Sequence, residues 1–285
     1  MSLYIGCPIW RVKEWVGTFL PAGTRDKDML SAYSRRLNTV EGNTTFYALP
    51  SPEKAAGWRD ATPSGFHFCL KFPKIISHEK RLMNCAAETA AFVDVLRILG
   101  DRCGPSFLQL PPTFTGAHLP RLADYLAALP KDLRFAVEPR NADFFAGAWA
   151  ERGLDELLTK QGMARGVFDT SALFALPRSH SVLVAGAQKK KPEFPVRATR
   201  TAGFAFVRFV GQPVVEDNRP WLEPWAKRIA EWLTAGDDVY FFTHLPEDIN
   251  APRLSAFMRD LIAEHIDLPP LEEPDTSDPV QPTLL

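Results

Sequence analysis

Asn38-Thr39-Val40-Glu41-Gly42-Asn43-Thr44-Thr45-Phe46-Tyr47 opens as a β-branched run and ends in a cluster of polar groups. That pattern reads as a buried strand whose end carries chemistry. Glu41 has no charged neighbour in sequence, and Gly42 lets the backbone turn without a Cβ clash. A carboxylate at the end of a buried strand has to be paired, hydrogen-bonded or protonated, so its partners are sought at matching positions elsewhere in the chain.

Working outward, Leu3 to Cys7 is a short apolar strand broken by Pro8, and a helix is expected over 25–37 from Met29, Leu30, Tyr33 and Leu37. Ser51 and Pro52 open a helix as N-cap and first helical residue. Phe66 to Lys71 alternates as a third strand stopped at Pro73, Gly104 to Leu110 is a fourth stopped at Pro111, and Arg134 to Glu138 a fifth stopped at Pro139. Met163 to Phe168 gives the sixth, with Asp169 at its end. Residues 171–200 lose the pattern and read as an irregular excursion, with Lys189, Lys190 and Lys191 as a solvated charge run. Phe204 to Val210 and Val239 to Phe242 supply strands seven and eight, and helical spacings fall between most strands. Eight apolar strands alternating with helices predict an α/β fold, a single (β/α)8 TIM barrel over residues 1–266. A doubly wound open sheet is the alternative. Residues 267–285 are acidic and proline-rich and are expected to be disordered.

The bulk composition narrows the function classes. At 285 residues, 46% hydrophobic and 24% charged, with net charge −1, the chain can bury a large core, and it has no global basic field for nucleic acid or anionic lipid. No apolar run reaches the roughly 18 to 20 residues that span a bilayer, so no membrane partner is expected. Cys7, Cys69, Cys85 and Cys103 lack zinc-site spacing and read as reduced thiols of a cytoplasmic protein. No bound metal is expected. The chain has neither G-x-G-x-x-G after the first strand nor a Walker sequence, so no cofactor is expected either.

Parallel barrel strands present functional groups at their C-terminal ends. Here those positions hold Glu41, Lys71, Gln109, Glu138, Asp169, Arg208 and His244, with Arg140, His78, Asn43 and Trp10 in the adjoining loops. Glu41 and Lys71, on neighbouring strands, could form a structural ion pair, although the convergence of other polar groups favours a functional role, and Glu138 and Arg140 can bond each other. Arg208, flanked by Val207 and Phe209, needs either a protein carboxylate or an anionic ligand. Counting Lys71, Arg140 and Arg208 against Glu41, Glu138 and Asp169, the expected site is balanced.

Ile5-Gly6 with Trp10, the Asn38–Tyr47 stretch, Lys71-Phe-Pro73 with His78, Gln109-Leu-Pro-Pro112, Val137-Glu-Pro-Arg140 and Val207-Arg208 together resemble the DUF72 family of YecE-like proteins over about residues 3 to 264. The resemblance implies a TIM barrel and the location of a site, and it implies no defined reaction. The chain departs from the family's pattern in three places. Gly6-Cys-Pro-Ile-Trp10 stands for Gly-Thr-Ser-Gly-Trp, Arg208-Phe-Val-Gly211 for Arg-x-His-Gly, and Phe242-Thr-His244 for Phe-Asn-Asn.

The leading expectation is an enzyme acting on a small anionic, phosphate- or carboxylate-bearing, sugar-like substrate. Arg208, Arg140 and Gln109, with Asn43, Asp169, Trp10 and His244, would bind the ligand, and Glu41, Glu138, Lys71 and His78 would do the chemistry. A nucleic-acid-binding or metal-dependent phosphodiesterase resembling barrel endonucleases is one alternative. A non-catalytic ligand-binding protein is another.

Overall fold

The structure, a computed structural model, describes residues 1–269. All but the first three residues of the expected tail at 267–285 therefore lie outside the described residues. Eight strands, β1 Leu3–Cys7, β2 Thr39–Gly42, β3 His67–Leu70, β4 Ser106–Gln109, β5 Phe135–Glu138, β6 Ala164–Asp169, β7 Phe204–Val210 and β8 Asp238–His244, run parallel in the order β3-β2-β1-β8-β7-β6-β5-β4. The remaining seam, between β3 and β4, is stitched by Gly104 N donating to Phe68 O and Phe72 N to Phe107 O, each at 3.0 Å. The sheet is thus a closed (β/α)8 barrel and not an open doubly wound sheet. Among the described residues no helix is long and apolar enough to cross a membrane.

Local sequence explains most of the helices. Ser51 Oγ caps helix α2 (Pro52–Asp60) by accepting from Lys54 N at 3.3 Å. The long helices α3 (Ala86–Leu99), α5 (Trp149–Gln161), α8 (Arg219–Thr234) and α9 (Ala251–Ala263), with α4 (Leu119–Ala127), cover the barrel. The helix expected over 25–37 shrinks to a 3-10 turn at Asp26–Asp28 followed by α1 (Met29–Ser34). Just beyond it, Asn38 donates to Leu3 O at 2.7 Å and accepts from Ile5 N at 3.0 Å, clamping β1.

The stretch expected to be irregular after β6 contains α6 (Ser171–Phe174) and α7 (Val182–Lys190). Ser181 Oγ caps α7 through Val184 N at 3.1 Å, and Val184 and Ala187 pack on Leu173 and Val210. With only that narrow apolar stripe, α7 has little sequence periodicity to read.

Strand alternation sorts the side chains into two cores. Ile5, Val40, Phe68, Leu108, Val137, Val167, Val207 and Phe241 face outward and pack with the helices. The opposite set fills the barrel in layers. Tyr4 stacks between His67 and Tyr240 at 4.3 and 4.5 Å near the N-terminal ends. Cys69, Phe107, Ala136, Ala164, Phe206 and Phe242 fill the middle. The charged residues stand above them at the C-terminal mouth.

Gly42 serves close approach and not turning. Its φ is not in the left-handed region, and a Cβ there would come within 2.3 Å of Leu70 Cδ2.

Candidate active site

The mouth is built around Arg208, on β7. Its guanidinium reaches across the barrel to β2, where Nε donates to Glu41 Oε2 at 2.8 Å and Nη2 to Oε1 at 2.7 Å. Its remaining arm, Nη1, donates to Glu138 Oε2 on β5 at 2.8 Å. Arg140 Nε occupies the other oxygen of Glu138 at 2.5 Å. Asn43 Nδ2 donates to Glu41 Oε1 at 2.6 Å, and His244 Nε2 lies 2.8 Å from Oε2. Glu41 and Glu138 are fully buried, and Arg140, Arg208 and His244 nearly so.

Burial alone would raise both carboxyls. The Arg208 guanidinium beside Glu41, and Arg140 with Arg208 beside Glu138, override it, so Glu41 sits well below the usual carboxylate range and Glu138 below it. Desolvation thus does not leave Glu41 protonated. Two aromatic rings complete the setting, because the Arg208 guanidinium carbon lies 5.0 Å from the Phe107 ring centre and 4.9 Å from that of Phe168.

The structural ion pair open to Glu41 and Lys71 does not form. A guanidinium fork matches both oxygens of a carboxylate at once, and Arg208 takes Glu41 from across the barrel. Lys71 instead donates to Gln109 Oε1 at 3.0 Å and lies 4.1 Å from the centre of the Phe46 ring. Arg140 Nη2 reaches the same Gln109 oxygen at 3.3 Å. Two cations therefore share one neutral acceptor. Burial, then the nearby Arg208 charge, pulls the Lys71 amine down to about 8. His78, on a π-helical turn at Ile75–Glu79, meets Phe46 edge-on at 5.0 Å and has Nδ1 2.8 Å from Ser77 Oγ. Burial and the Lys71 charge push it down to about 4.

Two residues expected at the mouth are elsewhere. Asp169 points out of the barrel, where it accepts from Trp225 Nε1 of α8 at 2.7 Å and from Ser171 N at 2.8 Å. The inward position on β6 belongs to Phe168, one residue earlier, whose ring lies 3.7 Å from the Arg140 guanidinium carbon. A one-residue slip along a strand turns a side chain to the opposite face. Trp10 packs edge-on against Trp58 and Phe68 at 5.3 and 6.1 Å, in the apolar layer outside the strands.

Phe46, Phe107 and Phe168 are thus the site residues that the sequence reading missed. Only Phe46, inside the stretch that closes β2, carried a positional signal. Removing Asp169 from the count leaves three cations, Lys71, Arg140 and Arg208, facing two carboxylates, Glu41 and Glu138. Every oxygen of those two carboxylates is already hydrogen-bonded. Among the described residues no three His, Cys, Asp or Glu side chains gather as a ligand set for a metal ion.

A closed parallel barrel with a charged cluster at the C-terminal strand ends places the chain among the TIM-barrel proteins. Within that class it belongs to the DUF72 family, described as a protein family of unknown function, which it matches over residues 4–278. It is 37% identical over 252 residues to the UPF0759 protein YecE of Escherichia coli K12, an alignment covering 88% of this chain and 89% of that protein. The YecE protein of E. coli O157:H7 matches to the same extent. A DUF72 family protein from Enterococcus faecalis V583 superposes with TM-score 0.67 at 16% identity, covering 94% of this chain and 96% of that one. One from Thermotoga maritima MSB8 gives 0.65 at 19%, covering 91% and 100%.

Proposed function

We propose that the barrel mouth binds a small organic anion, bearing a carboxylate or a phosphate, and that the protein is an enzyme acting on it. The observation that carries this reading is the sharing of Gln109 Oε1 by the Lys71 ammonium and the Arg140 guanidinium. Two cations on one neutral oxygen are under-compensated, and an anion lodged between them supplies the missing charge.

The roles follow from the electrostatics. Glu41 and Glu138, held ionised by Arg208 and Arg140, fix the geometry and do not take up protons near neutral pH. Lys71, near 8, is the group that exchanges a proton in the neutral range, so acid-base work falls to it. His78, near 4, is a neutral imidazole under the same conditions.

Thermal melting in inorganic phosphate tests the reading, with chloride at matched ionic strength as the control. Phosphate is expected to raise the melting temperature by about 2 to 4 °C for each kcal/mol of binding free energy. Lys71→Met is expected to lose most of that shift. An unchanged melting temperature in millimolar phosphate would remove the reading.

A further inference from the structure

We propose that Lys71 is an amine nucleophile that forms an imine with the carbonyl carbon of an anionic aldehyde or 2-oxo acid held in the mouth. This rests on the anion-binding reading above and adds the reaction to it.

Lys71 is set apart from lysines that serve as ion-pair partners. Lys80 bonds Glu88 at 2.6 Å and Lys74 bonds Glu79 at 3.2 Å, whereas among the described residues no carboxylate lies within ion-pair distance of Lys71. Among the described residues its hydrogen-bond acceptor is the Gln109 carboxamide oxygen, already shared with Arg140. A lysine among guanidinium groups can relieve the crowding by losing its proton, which an arginine cannot do. Lys71 is largely but not completely buried.

Its base is held on both sides. Lys71 N donates to Gly42 O at 3.0 Å, and Lys71 O accepts from Thr45 Oγ at 2.7 Å. Arg140, through the common Gln109 oxygen, stands where the acid group of such a ligand needs a partner.

The chemistry balances without an oxidant or a reductant. The neutral Nζ adds to the carbonyl carbon, the carbonyl π pair passes to oxygen, and the nitrogen's proton is transferred to that oxygen to give a carbinolamine. A proton taken up from solvent lets the hydroxyl group leave as water, and the nitrogen lone pair forms the C=N bond of the protonated imine. The iminium carries the same charge as the ammonium of free Lys71, so its balance with Glu41 and Glu138 is unchanged.

The test uses glyoxylate, a small anion with an aldehyde, on the full-length protein at pH 7 with cyanoborohydride to trap the imine. Peptide mapping reads the site of labelling, and phosphate melting curves are recorded alongside. Lys71 has the larger neutral fraction at pH 7, about 8 against the usual 10.5. Lower basicity offsets part of that advantage, so its labelling is expected to exceed that of exposed Lys189 and Lys190 by about tenfold. Excess phosphate is expected to suppress it. The wild-type labelling rate is expected to rise with a midpoint near pH 8, a readout that needs no variant. Lys71→Arg is expected to lose the adduct. Labelling of Lys71 no faster than that of Lys189 and Lys190, with phosphate stabilisation intact, overturns the imine and leaves the anion site standing. Loss of both removes the two together.

Discussion

Replacing Arg208 by methionine would leave the buried Glu41 with only Asn43 and His244, and the buried Glu138 with Arg140 alone. Breaking a buried pair from one side costs about 3 to 5 kcal/mol, because the remaining charge keeps its desolvation penalty. Urea denaturation of Arg208→Met is expected to show a loss of that size. A loss under about 1 kcal/mol would mean the cluster is wetter than its geometry indicates. Acid acts on the same contacts. Glu41 has its folded pKa depressed below the ordinary 4.5, so its stabilisation is complete above that value and is lost as the pH falls through the folded pKa. Stability followed from pH 6 to pH 3 is expected to fall less steeply in Glu41→Gln than in the wild type, with the divergence beginning below about pH 5. Equal slopes would contradict the assignment. The presence of Glu41, Glu138 and Arg208 was legible in sequence because a charge inside an apolar run has few explanations. Their pairing was not, since the choice between Lys71 and Arg208 depends on which side chain spans the barrel.

The strand is the scale at which register decides the site. Pro73, Pro111 and Pro139 mark where three strands end, and around those stops the positions of Lys71, Gln109 and Glu138 came out of sequence alone. β6 has no such stop, and its polar end residue Asp169 suggests an inward position that Phe168 in fact fills. Asp169→Asn is accordingly expected to weaken the contact with Trp225, costing about 1 to 2 kcal/mol, while leaving any phosphate-induced shift in melting temperature unchanged. Loss of the shift would put Asp169 back in the site. β1 makes a complementary case. A Cβ on Gly6 would stand 2.1 Å from Thr39 O, inside the β1–β2 pairing, and nothing there can give way but the backbone. Gly6→Ala is expected to lower the unfolding midpoint severely, and wild-type stability in that variant would mean that the strands separate more easily than the pairing implies. In β7 and β8, Val210 pairs in register with His244. His244, so placed on β8, holds Glu41.

Across the whole molecule, the barrel was legible because eight apolar runs alternate with helical spacings and proline or glycine punctuates them. The excursion after β6 was not, since α7 buries only a narrow stripe and owes its place to Val210 and Leu173. The same limit explains the charge of the mouth. A count along the sequence gives three cations and three carboxylates, while closing the barrel turns Asp169 to the outer layer and leaves a cationic excess. Anomalous diffraction from a crystal soaked in tungstate, an oxyanion that scatters strongly, tests that excess most directly. The anion is predicted to sit at the C-terminal mouth within hydrogen-bonding reach of Lys71 Nζ and the Arg140 guanidinium. Tungstate bound only at exposed lysines and arginines, with no anomalous peak at the mouth, would contradict it.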